Sequence, residues 1–564
     1  MSYNYGEQWF SIKYNVHLWT QYKNIINMER FLHFYKSIIC KKRFYLPILF
    51  YSIVAYSFSI YNRTISIDGL LGDYTVGDSG CSMLSGRWGM VVWCRLLDIM
   101  GFDPFIDRFL ALLFLIIAAV LFCYILYSIG GSKDILQYSI TASIFITYPL
   151  INEIWEYVGA DFMVGGNLCL VSLAAIAIKE TSSALSLKRI LLASFLLLLP
   201  MSSYETGVFY YIALVGIIIF YEDISSFDSL LHVSDWIKKN LYYFIPLVIA
   251  FVLRFTVSFI INTVFDLEYS GGGDTKIIWL EYSFIPTLKG VIVSNFLHYV
   301  VYGLVYFPIA VFGFSLLNFI VYALSIKGNR LKHTLLGIIV IISLFSLAIL
   351  QGDLLMYRHA QTITLFVAFS VYLVCMSIRI RWRIYIYALL FGLCWYQAIY
   401  MNRLLGLNNL RSDNELSIIR MIGSRIVSEY ERKPVFVVAP YQVSEWIHKQ
   451  ITVDESAWNG RLFYYICEKL GDSLGRPHKY IYTNVNCASE ECIQLKLLFS
   501  YCGYDINIIP DFYSDVNLER DKRMWAEAIL VAKEMKLKPF QIHDNGNYLI
   551  LSLGEDFYGS ELYK

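Results

Sequence analysis

Hydrophobic and polar positions in this chain alternate in blocks rather than residue by residue. About eleven apolar runs approach the length of a bilayer-spanning helix. They are Tyr45–Tyr61, Phe109–Ile129, Ile135–Ile151, Val158–Ile178, Ile190–Met201, Gly207–Tyr221, Leu241–Ile261, Leu304–Ile326, Thr334–Leu350, Thr362–Ile378 and Ile384–Tyr400. The two runs around Pro200 are short and could be read as one broken hairpin, and Val291–Val301 suggests a re-entrant or extra helix. After Tyr400 the hydrophobic density drops. There Asn414–Glu431 has helical periodicity with mixed charges, and Pro434–Pro440 and Lys479–Thr483 read as strands. Glu491–Ser500 and Met524–Lys536 read as helices, and Asn547–Leu553 as a last strand. The pattern predicts a mainly α fold: a polytopic helical bundle over residues 44–401, a cytoplasmic segment over 1–43 before it, and a soluble α/β domain over 402–564 after it.

Composition agrees with that class. Of 564 residues, 57% are hydrophobic and only 16% charged, as in polytopic membrane proteins. A formal net charge of +1 gives no electrostatic case for a nucleic-acid partner. The largely polar start, with Lys13, Lys23, Arg30, Lys36, Lys41, Lys42 and Arg43, is not a signal peptide, so the first span should remain as an anchor. Of the eleven cysteines, Cys467, Cys487, Cys492 and Cys502 lie in the tail, where an exported domain allows disulfides. The tail holds no CxxC pair and no histidine cluster with metal spacing, which argues against a zinc site.

Charge also sorts the loops. Those at Lys133, 179–189, 221–240, 327–333 and 379–383 hold most of the inter-span Lys and Arg and should face the cytoplasm. The opposite loops, 68–108, 152–157, 202–206, 266–289 and 351–361, are acidic or mixed and rich in Tyr, Trp and Gly. Their chemistry is unusual for plain connectors. Ser66–Asp78 carries Asp68, Asp73 and Asp78, followed by a Gly86-Arg87-Trp88 turn. Glu153 and Glu156, three residues apart, share one face of any helical turn beside Trp155 and Tyr157. Tyr204 and Glu205 occupy a very short turn, and Gln351–His359 supplies Asp353, Arg358 and His359. Arg254 lies within a span, where an ionisable side chain normally faces a partner or a cavity. Blander readings exist for each: solvated loop acids, interfacial anchoring of Trp155 and Tyr157, snorkelling of Arg254, and a flexible linker at Gly271–Gly273.

Ile67-Asp68 after the first span, Leu84-Ser-Gly-Arg-Trp-Gly89, the Tyr204-Glu205 turn and the closing Lys538–Leu553 segment together resemble the bacterial glucosyltransferase II family, whose members glucosylate O-antigen. The chain departs from that pattern in its single Asp at 68 and in Glu205 where relatives carry Gln. The resemblance implies a GT-C-like membrane enzyme of the bacterial inner membrane, with its N-terminus cytoplasmic and its tail periplasmic. It implies a polyprenyl-phosphate hexose as donor and a lipid-linked or surface polysaccharide as acceptor, with a donor-synthesising transferase and a flippase as functional partners. In such a scheme arginine contacts stabilise the departing lipid phosphate, with Arg358 as first choice, Arg87 and Arg254 behind it, and His359 nearby. A carboxylate activates the acceptor hydroxyl: Asp68 first, Asp73 or Glu153 as substitutes. Trp88, Trp155, Glu156, Tyr157, Tyr204 and Glu205 are candidates for holding sugar. A leaving group with one phosphate requires no divalent metal. An O-antigen polymerase would concentrate Arg in one or two large loops, and a transporter would show internal repeats or polar residues midway through the bilayer. Neither pattern is evident. A sensor with a ligand-binding tail is the remaining alternative.

Overall fold

The computed structural model describes residues 28–62, 87–99, 104–151, 161–179, 186–204, 206–225, 240–265, 283–296, 299–300, 307–326, 330–352, 355, 359–430, 432–439, 499–500, 502–509 and 518–553. The chain is mainly helical. It divides into two compact units: the described residues up to Asn402, except Asn62, form the first, and those from Arg403, with Asn62, form the second.

In the first unit, α1 (Met28–Phe34) and α2 (Lys42–Tyr61) are followed by α3 (Trp88–Ile99), α4 (Pro104–Gly130), α5 (Ile135–Thr147) and α6 (Asp161–Lys179). Then come α7 (Leu187–Ser203), α8 (Thr206–Ser225), α9 (Ile245–Phe265), α10 (Phe284–Phe296) and α11 (Phe307–Ser325). The unit closes with α12 (Arg330–Leu344), α13 (Ser346–Gln351), α14 (Gln361–Ser377) and the start of α15 (Arg383–Glu429). Among the described residues, five helices are long and apolar enough to cross a membrane, and six further apolar helices are shorter.

Two expectations change here. The run Thr334–Leu350 breaks at Phe345 into α12 and α13. The last apolar run and the mixed-charge segment Asn414–Glu431 form one helix, α15, because Tyr400–Asn414 contains no proline to interrupt it although its hydropathy falls. The runs flanking Pro200 form two separate helices, with Pro200 inside α7. The segment considered as an extra helix near Val291 is part of α10.

Side-chain contacts define two ends of this unit. At the near end Phe34 packs on Tyr124, Tyr127 and Tyr138. Tyr221 OH lies 3.0 Å from Tyr372 OH, and Gln137 Nε2 donates to Tyr372 O at 3.3 Å. Asp134 caps α5, accepting from the N–H of Leu136 at 3.1 Å, and takes hydrogen bonds from Tyr387 OH at 2.7 Å and Arg383 at 3.4 Å. Asp223 pairs with Lys332 and lies 3.3 Å from His333 Nε2. Residues from four of the loops that charge sorted as cytoplasmic therefore gather at one end.

Following α2, α4, α5 and α15 away from that end leads to a second polar layer, the far end. Arg108, buried beside buried Asp107, donates to Ser59 O at 2.7 Å. Tyr56 OH donates to Ile146 O at 2.8 Å, and Thr147 Oγ1 bonds Gln397 Oε1 at 3.2 Å. Between the ends α4 and α6 touch closely: a Cβ on Gly165 would stand 2.7 Å from Ala111 O and 3.0 Å from Leu115 N. Small residues at such a seam let membrane helices approach where no hydrophobic effect drives them together.

In the second unit β1 (Val435–Ala439), β2 (Ile508–Ile509), β3 (Ile542–Asp544) and β4 (Leu549–Ser552) form a sheet of order β2-β1-β4-β3. β1 is parallel to β2 and β4, while β3 and β4 are antiparallel. Alternation along the strands buries both faces. Val435, Val437, Leu549 and Leu551 pack with Ile419, Ile422 and Ile426 of α15. Phe436, Val438 and Ile550 pack with Trp525, Ala528 and Ile529 of α16 (Leu518–Met535). The strands read at Pro434–Pro440 and Asn547–Leu553 and the helix read at Met524–Lys536 are found at these places. The strand expected at Lys479–Thr483 lies outside the described residues, as do Cys467, Cys487 and Cys492; Cys502 is a free thiol.

Candidate functional site at the far end

The best-defined polar constellation at the far end is built around α3, a helix that the apolar pattern does not announce. Residues 68–108 read as one loop, with a turn at Gly86-Arg87-Trp88. Instead Trp88 opens a helix of 12 residues, too short for a span and therefore silent in a search for bilayer-length runs. Arg87 closes its first turn, accepting from Met90 N at 2.9 Å.

Two contacts fix α3 in place. Gly89 lies directly on the end of α7, where a Cβ would come within 2.7 Å of Ser202 C and 2.8 Å of Leu199 O. One turn on, buried Trp93 Nε1 donates to Asn167 Oδ1 of α6 at 3.1 Å. Pinned on both sides, α3 delivers Arg87 to the point where α7 ends.

That point is Tyr204. Its backbone is extended (φ −154°, ψ 128°), its N–H still bonds Pro200 O at 3.1 Å, and its own carbonyl accepts from Gly207 N at 3.1 Å. The reversal into α8 is thus only as long as those bonds allow. The Arg87 guanidinium carbon stands 5.3 Å from the centroid of the Tyr204 ring, within cation–π range. The Tyr204 hydroxyl lies 3.0 Å from His359 Nε2, and the two ring centroids are 5.6 Å apart. His359 lies two residues before the start of α14, whose Tyr372 belongs to the near end, so His359 is at the far end.

Of the residues singled out from the sequence, the structure therefore joins Arg87, Tyr204 and His359. Trp88 adjoins them, half-buried, and its buried indole Nε1 has no hydrogen-bond partner among the described residues. Arg254 is half-buried in the middle of α9, which packs on α7, and not at the end of its helix. Asp68, Asp73, Glu153, Trp155, Glu156, Tyr157, Glu205 and Arg358 lie outside the described residues. Four residues with a hand in the far end escaped the sequence reading: Asp107, Arg108, Trp93 and Asn167. The first two had a legible signal, adjacent opposite charges at the head of the most apolar run. A pair buried to 2% and 4% exposure must be compensated by partners.

A helical body with several membrane-length apolar helices and polar clusters at its two ends defines a membrane protein with a polar end site. The chain belongs to the glucosyl transferase GtrII family, whose family model matches residues 57–378, more than half of the chain. That match contains Arg87, Tyr204 and His359. No curated protein and no solved structure matches the chain.

Proposed function

We propose that the protein moves a hexose, glucose by family, from a polyprenyl-phosphate donor to O-antigen or a similar surface polysaccharide at the periplasmic face of the bacterial inner membrane. In this reading the body is a GT-C-like bundle of about eleven spans, the N-terminus is cytoplasmic and the tail from residue 402 is a soluble periplasmic α/β domain. The observation that carries it is the meeting of Arg87 and His359 on Tyr204 within the family-matched region.

The chemistry follows from the leaving group. When the bond from the anomeric carbon to the phosphate oxygen breaks, negative charge grows on a lipid phosphate that stays in the membrane. A guanidinium with its fixed fork of N–H donors stabilises that charge where water is scarce, and an imidazole N–H adds to it. Arg87 and His359 take this role, with Arg358, the neighbour of His359 in sequence, as a further candidate. On the acceptor side a carboxylate removes the hydroxyl proton as the new bond forms; Asp68 is the assigned base, with Asp73 and Glu153 as alternatives. Direct displacement by that oxygen inverts the anomeric centre. No step in this scheme calls on a divalent metal.

The reading is tested with the full-length protein in proteoliposomes, supplied with polyprenyl-phosphate glucose and lipid-linked O-polysaccharide. The expected result is transfer of glucose by the wild type and none by Asp68→Asn at equal protein level. Undiminished transfer by Asp68→Asn would remove that carboxylate from the mechanism, and absence of transfer by the wild type would contradict the donor assignment.

A further inference from the structure

Tyr204 entered as a candidate for holding the acceptor sugar, and its surroundings argue for another task. A sugar stacks on an open aromatic face. Tyr204 is only 7% exposed, and the Arg87 guanidinium already stands over its ring at 5.3 Å. Its hydroxyl, the one polar group of its side chain, is engaged with His359 at 3.0 Å. Its backbone is tied at both N–H and carbonyl between α7 and α8.

We infer that Tyr204 is a positioning residue that holds Arg87 and His359 together as a single clamp for the phosphate of a polyprenyl phosphate, an inference that rests on the donor reading above. The ring face orients the guanidinium by cation–π attraction, and the hydroxyl orients the imidazole. When that hydroxyl donates to Nε2, the neutral ring carries its proton on Nδ1, so the imidazole keeps an N–H donor whether neutral or charged. Three helices that are distant in sequence (α3, the end of α7 and the start of α14) thereby contribute to one anion site. An arrangement held in this way lowers the reorganisation that binding the phosphate requires.

Two substitutions separate this role from the alternatives. Tyr204→Phe keeps the ring under Arg87 and removes only the hold on His359; Tyr204→Leu removes both. Measured in proteoliposomes, Tyr204→Phe is expected to raise the donor KM about tenfold, the scale of one net hydrogen bond. The acceptor KM should not change, and Tyr204→Leu should raise the donor KM further. A normal Tyr204→Phe enzyme with a raised acceptor KM in Tyr204→Leu would overturn the inference in favour of sugar stacking. Losses confined to kcat and to the unfolding temperature would overturn it in favour of a merely structural tyrosine. Should Tyr204→Phe fail to accumulate in the membrane, His359→Gln tests the same contact from its other side, with the same donor-KM rise expected and an unchanged donor KM overturning the inference.

Binding of polyprenyl phosphate itself, without sugar, to the full chain in lipid nanodiscs separates this inference from the reading it rests on. Binding by the wild type that weakens about tenfold in Tyr204→Phe supports the clamp even if no glucose is transferred. Absence of binding by the wild type, or equal binding by both, overturns the clamp even if transfer is observed.

Discussion

A methyl group on Gly89 would stand 2.7 Å from the carbonyl carbon of Ser202 and 2.8 Å from Leu199 O, both backbone atoms that cannot swing aside. Gly89→Ala therefore has to push α3 away from α7, and Arg87, two residues earlier, moves with it off the Tyr204 ring. A displacement of about 1 Å at a reacting group costs on the order of a hundredfold in rate. We expect Gly89→Ala to lose transfer activity by about that factor while still inserting and running as a single species in detergent; full activity in that variant would mean that α3 does not set the position of Arg87. Trp88 gives a complementary test. Its buried indole N–H lacks a hydrogen-bond partner among the described residues, so Trp88→Phe takes an unsatisfied donor out of the fold and should leave the unfolding temperature unchanged or higher. A clear fall in unfolding temperature would show that the N–H is satisfied in the folded protein.

Elements differ in how plainly the sequence declares them. The strand β1 is an uninterrupted apolar run between two prolines, and β4 follows a glycine turn, so both are legible from local pattern alone. β2 is two residues long and has no periodicity to read; it exists because β1 offers it a ladder. The helix α3 is hidden for the opposite reason, being apolar but shorter than a span. The capping of α5 is local and strong: Asp134 holds the first turn and also binds Tyr387 and Arg383. Asp134→Ala should cost about 1–2 kcal/mol of stability, read as a lower unfolding temperature in detergent, with no change in donor or acceptor KM. In the sheet, the Lys433 ammonium hydrogen-bonds both oxygens of Asp544 at 2.8 and 2.9 Å and, with the Gly546 N–H, holds its carboxyl below the usual aspartate range. A carboxyl lowered on folding contributes stability above its unfolded pKa of about 3.9 and loses it as pH falls through the folded value. Amide-exchange protection of β3 and β4, corrected for intrinsic rates, should hold steady from neutral pH down to about 5 and decline below about 4, and Lys433→Met should flatten that dependence.

For the whole molecule, the block pattern and the sorting of charged loops carried the membrane class and the grouping of basic segments at one end of the bundle, because both follow from the bilayer acting on every span alike. The site was legible only as a list of residue types. Tyr204 and His359 are 155 positions apart, and no local rule brings them together; the packing of α8 on α14 does, and that of α3 on α6 and α7 adds Arg87. The family match spans most of the helical unit, and Arg87 is the described residue at its far end whose charge the proposed reaction needs most. The most direct measurement is the mass of O-polysaccharide from cells carrying the gene, the gene with Arg87→Ala, or neither. The account predicts a hexose increment on the repeat unit with the wild-type gene, and one reduced by on the order of a hundredfold or lost with Arg87→Ala, as when a single charge-stabilising donor is removed. Equal decoration by the two proteins at equal abundance, or none with the wild type, would contradict it.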